Sequence, residues 1–128
     1  MRRVFSHWLF WYVVGFLLVA VVLVASLVPT RELPPVEVND KIEHFGAYAA
    51  LALWFGGLTE PRKYYRLLLW LLLLGGGIEI AQGIMNIGRT ADWKDFLADG
   101  VGVAAGLALC LAGLRHWAGW IEHWTRRR

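Results

Sequence analysis

The chain has 128 residues, 58% of them hydrophobic and 18% charged, with a mean hydropathy of +0.48. A soluble domain is about 45–50% apolar and about 25% charged, so this balance excludes an ordinary soluble protein and points to one membrane domain over residues 1–128. The net charge of +3 matters less than its distribution, and the lone cysteine, Cys110, excludes an intrachain disulfide.

Residues 8–28 carry no charge and follow Arg2 and Arg3. They are long enough to cross a hydrocarbon core of about 30 Å as a helix. A signal-peptide core is about 7–15 residues long and precedes a small-residue cleavage site, so a retained membrane helix is predicted here. Residues 30–39 are polar and stiffened by Pro34-Pro35. Asp40 is placed to cap the next helix, with Glu43 three residues on as a capping-box partner.

The second predicted span covers 40–58. Its first turns hold Asp40, Lys41, Glu43 and His44, and the rest is uncharged. A basic loop over 60–66 follows. The third span, 67–87, opens leucine-rich and changes character at Gly75-Gly76-Gly77, after which come Glu79 and Gln82. Gly75, Glu79 and Gly83 recur at i, i+4 and i+8, so Glu79 has small residues on either side of it.

A turn containing Arg89, Asp92, Trp93 and Lys94 leads to the fourth span, 95–114. Asp95, Asp99, Gly102, Gly106 and Gly113 fall on one helical face there. Gly102-x-x-x-Gly106 suits close packing within the bundle more than a homo-oligomer contact. Cys110 reads as a buried, unreactive thiol. In the tail, 115–128, Trp117, Trp120, Ile121 and Trp124 recur at helical spacing among arginines and histidines. That pattern predicts an amphipathic helix lying at the bilayer interface. Its three final arginines are too short a run to imply a nucleic-acid partner.

The basic residues cluster on alternate connections: Arg2 and Arg3, then Arg62, Lys63 and Arg66, then Arg115 and Arg126 to Arg128. The positive-inside rule places these in the cytoplasm, with both termini, for a multi-pass protein. The starts of spans two and four and the end of span three then share the outer side. There Asp40, Lys41, His44, Glu79, Gln82, Arg89, Asp92, Asp95 and Asp99 gather at one end of the bundle. At 1.5 Å per residue, Asp99 is predicted about 6 Å below Asp95 and Glu79 about 12 Å below the surface, as the floor of a funnel.

The ordered set D-K-x-x-H (Asp40, Lys41, His44), E-x-x-Q (Glu79, Gln82) and R-x-x-D-x-x-D (Arg89, Asp92, Asp95), followed by a glycine-rich helix, resembles the VanZ-like family over residues 40–106. The resemblance implies a small integral protein of the bacterial cytoplasmic (inner) membrane. The family takes its name from a protein linked to low-level resistance to the glycopeptide teicoplanin, and no reaction is established for it. Its members often carry asparagine where this chain has Asp99.

The fold expected is therefore all-α and polytopic, with four transmembrane helices (8–28, 40–58, 67–87, 95–114) and a C-terminal interfacial helix. Three function classes fit. A binding protein would hold a lipid or envelope-precursor headgroup, with Arg89 and Lys41 on its anion and His44, Glu79 and Gln82 beneath. A membrane-embedded hydrolase or metalloenzyme would use His44 and Glu79 as its catalytic candidates. An assembly protein would use the same polar groups only to hold helices together. No H-E-x-x-H or comparable spacing assigns a metal ligand, no nucleophile elbow is present, and the sequence names no particular cofactor. Ser6 and Ser26 lie far from the cluster in sequence.

Overall fold

The structure, a computed structural model, describes residues 8–27, 40–85 and 93–126. The expectations for Arg89 and Asp92, and for the side chains of Asp40 and Lys41, fall outside the described residues. Five helices make up the described chain: α1 (Trp8–Leu27), α2 (Asp40–Gly56), α3 (Tyr64–Met85), α4 (Trp93–Leu111) and α5 (Trp117–Arg126). Short 3₁₀ turns at Pro61–Lys63 and Leu114–His116 lead into α3 and α5. No strand occurs among the described residues.

The boundaries differ from the predicted ones for physical reasons. The basic loop expected over 60–66 is mostly helical. Pro61 opens the 3₁₀ turn, where its fixed φ suits a first helical position and its missing N–H has no bond to lose. At the other end of α4, Gly113 adopts φ 132°, which only glycine takes without strain, and the chain turns there. Gly113 therefore ends the helix instead of continuing its glycine face.

α1 and the continuous Pro61–Met85 segment are long and apolar enough to cross a membrane. α4 reaches that standard only together with the segment Leu114–Thr125, from which it is bent by 79°. Among the described residues two or three helices thus meet the requirement, where four spans were expected. α2 falls short because it has 17 residues, about 26 Å at 1.5 Å per residue, and its first turns are polar. α4 is interrupted early by Lys94, Asp95 and Asp99. Large apolar side chains face outward along α1 (Leu9, Phe16, Leu17, Val21, Val24) and α3 (Leu69, Trp70, Leu73, Ile80, Ile84).

The most extensive packing is between α2 and α4; α3 packs on both, and α1 on α2 and α3. The core joins Tyr48, Leu51, Ala52 and Phe55 of α2 to Tyr64 and Leu71 of α3 and to Val103, Leu107 and Cys110 of α4. Gly102 and Gly106 let the two backbones touch. A Cβ on Gly102 would overlap the Phe45 carbonyl oxygen, and one on Gly106 would stand 2.6 Å from that of Ala49. Contacts along the pair keep a nearly constant sequence separation: 55 for His44 with Asp99, and 57 and 58 for Cys110 with Leu53 and Ala52. The helices run parallel in fixed register, so one glycine contact sets the position of every other pair.

The last carbonyls of a helix have no intrahelical partner and must find donors elsewhere. At the end of α2 these come from several helices. Tyr64 OH donates to Gly56 O (2.7 Å), Tyr12 OH to Leu58 O (2.8 Å) and Trp117 Nε1 to Leu53 O (2.8 Å). Trp54 Nε1 in turn donates to Trp11 O (2.9 Å). The rings of Trp11, Trp54 and Trp117 stack edge-on or tilted, with centroids 4.3 to 5.9 Å apart. Trp117 therefore faces the bundle, whereas Trp120, Ile121 and Trp124 are exposed as the interfacial reading requires. Replacing Trp117 with Phe removes one buried hydrogen bond. It will lower resistance to denaturation by about 1 kcal/mol while leaving helix content unchanged by circular dichroism.

Candidate functional site

At the opposite end of α2 the polar residues converge. His44 lies one turn into α2, Glu79 and Gln82 in the last turns of α3, and Asp95 and Asp99 in the first turns of α4. Burial is nearly complete for all four partners: Glu79 is 7% exposed, Gln82 3%, Asp95 5% and Asp99 1%.

The ring of His44 lies between the two aspartates of α4. Nδ1 is 2.7 Å from Asp99 Oδ1, and Nε2 is 3.7 Å from Asp95 Oδ2. A carboxylate can only accept, so Nδ1–H donates to Asp99. This is a contact between helices, joining α2 to α4. Asp99 is held from its other side by Gly75, where any Cβ would come within 2.7 Å of Oδ2. This explains one glycine beside Glu79. The other, Gly83, is exposed.

Glu79 completes the group. One ligating atom from each of His44, Glu79 and Asp99 lies within 4.8 Å of the others. Asp99 lies four residues, about 6 Å, beyond Asp95 along α4, and its carboxylate meets that of Glu79 from α3.

Gln82 Nε2 donates to the carbonyl of Ser26 at 2.8 Å, tying α3 to the last turn of α1. Ser26, remote in sequence, is thereby brought to the same end of the bundle. Asp95 sits in the first turn of α4, where a carboxylate suits the positive end of the helix dipole, and it also faces His44. Trp93 is exposed beside it, and Lys94 is exposed as well.

One residue of the site had gone unread. Tyr48 is buried on α2 one turn beyond His44. Its i+4 spacing from His44 was the available signal, masked because a tyrosine in an apolar run reads as core.

No family model, curated protein or solved structure matches the chain. The site is accordingly read from its own chemistry. Among the described side chains it sets three carboxylates around one imidazole, within an apolar helical shell.

Proposed function

We propose that the chain is a VanZ-like integral protein of the bacterial cytoplasmic membrane, with four spans and both termini inside. Its polar site opens to the outer face and binds the headgroup of a lipid or cell-envelope precursor. The observation that carries this reading is the convergence of His44, Glu79, Asp95 and Asp99 from three helices near the bundle's end. Buried ion pairs are a poor means of holding helices together, because apolar residues of similar volume often serve as well or better. A scaffold would need one such pair; this site gathers three acids around one histidine. The outward apolar faces of α1 and α3 offer a surface for an acyl chain, and the charge asymmetry of the sequence supports the orientation.

The test is native mass spectrometry of protein extracted with its lipids. Wild type will retain a bound lipid or lipid-linked precursor. Glu79→Gln and Arg89→Gln will each lower its occupancy about ten-fold, equivalent to about 1.4 kcal/mol. Unchanged occupancy in both variants, with helix content intact, would leave the cluster as a helix-holding device.

A further inference from the structure

We infer that His44, Glu79 and Asp99 form a binding site for a divalent transition-metal ion of the zinc or manganese type. The inference rests on reading the cluster as a binding site, and it names the ligand that the site takes first.

Three observations carry it. The donor atoms of one imidazole and two carboxylates, from three different helices, already lie within 4.8 Å of one another. Metal–ligand bonds of about 2.0–2.2 Å place the donors around one ion roughly 3–4 Å apart, so side-chain adjustments of about an ångström complete the site. The carboxylates are more than nine-tenths buried, so bulk water does not compete for them. The histidine is also supported as metal-bound histidines are. With Nδ1 on the ion beside Asp99, Nε2 is left facing the Asp95 carboxylate, 3.7 Å away. Such an outer partner fixes the tautomer and makes the imidazole a better ligand.

The donor set also selects the ion. Oxygen-only sites suit magnesium and calcium, while an imidazole beside carboxylates suits zinc, manganese or iron. Three protein ligands leave at least one coordination position open, as in sites that go on to bind a further oxygen ligand. Helix alternation gathers these residues at one end, but distributed over α2, α3 and α4 they form no short-range metal-ligand motif. The ion would also supply the positive charge that an acid-rich pocket needs before it can hold a phosphate-bearing headgroup.

The experiment uses full-length protein with any affinity tag removed, exchanged into lipid nanodiscs and titrated with Zn²⁺ in excess Mg²⁺. Bound zinc is read by elemental analysis and by competition with a chromophoric chelator. The expected result is one zinc per chain, lost in His44→Gln, Glu79→Gln and Asp99→Asn. Asp95→Asn will weaken binding about 10–100-fold, the range for outer-shell partners. The double variant His116→Gln/His123→Gln will bind as wild type does, which separates the site from adventitious binding at exposed histidines. Zinc retained in both His44→Gln and Glu79→Gln, or no zinc in folded wild type, overturns the inference. Lipid occupancy measured with and without chelator separates the two readings. Lipid retained by a protein that binds no zinc refutes the metal site and leaves the headgroup reading standing. Zinc bound at the named residues with no lipid retained supports the metal site and refutes the headgroup reading.

Discussion

Gly102→Ala will be among the most damaging small substitutions in the chain. The added methyl would overlap the Phe45 carbonyl oxygen and press on the Ala49 backbone N, neither of which is the free end of a side chain. Relief requires α2 and α4 to separate. Overpacking typically costs about 1–3 kcal/mol, and the upper end is expected where backbone must move. Alanine's better helix propensity returns about 1 kcal/mol at most. Gly77→Ala provides the control. Its Cβ would meet nothing within 4 Å, so propensity alone acts and the variant will be as stable as wild type or slightly more so. Unfolding midpoints in a graded detergent series, followed by circular dichroism, will rank Gly77→Ala at or above wild type and Gly102→Ala well below it. Because the α2–α4 register is shared, Gly102→Ala will also separate His44 from Asp99 and reduce ligand retention.

The second large effect is expected at Asp99. Asp99→Ala removes the acceptor of His44 Nδ1–H and leaves a hole beside Gly75. Removing one member of a buried ion pair costs about 3–5 kcal/mol, much of it for the partner left behind. Asp99→Asn keeps an oxygen where His44 needs one and will cost far less. The informative measurement is a double-mutant cycle with His44→Ala. A coupling of about 1.5 kcal/mol or more is expected, within the range found for residues in one hydrogen-bonded network. Additive single effects would mean that the 2.7 Å contact contributes nothing to stability.

How much of this could be read from the residues depends on the range of the interaction. Helix identity came from composition and the absence of breakers, and it holds for every described span. Alternation of helices also put His44, Glu79, Asp95 and Asp99 at one end, since antiparallel succession fixes which ends meet. The pairing within that end was not legible. The ring of His44 meets Asp99, 55 residues away on another helix. That choice is made by the Gly102–Phe45 contact, whose register a single sequence does not disclose. Gln82 was assigned to the cluster by its i+3 spacing from Glu79. The same spacing also turns it toward α1, where Ser26 presents a carbonyl at a helix end. Trp117 was assigned to the interface with its neighbours, but its indole N–H donates to Leu53 O near the end of α2. In each case local periodicity identified a face correctly and could not say which neighbour would cover it.

The shortness of α2 bears on how the site meets its surroundings. Beyond His44 its uncharged part, Phe45 to Gly56, extends only about 18 Å at 1.5 Å per residue. A hydrocarbon layer is about 30 Å thick, and a stretch shorter than that is accommodated by local thinning or by drawing polar groups inward. In a bilayer the deformation would centre on α2, the helix that carries His44. Headgroups and water would dip toward the cluster there, while the longer α1 and α3 keep the membrane at full thickness around the rest of the bundle. Lengthening α2 by one apolar turn would remove that depression without altering a single residue of the cluster.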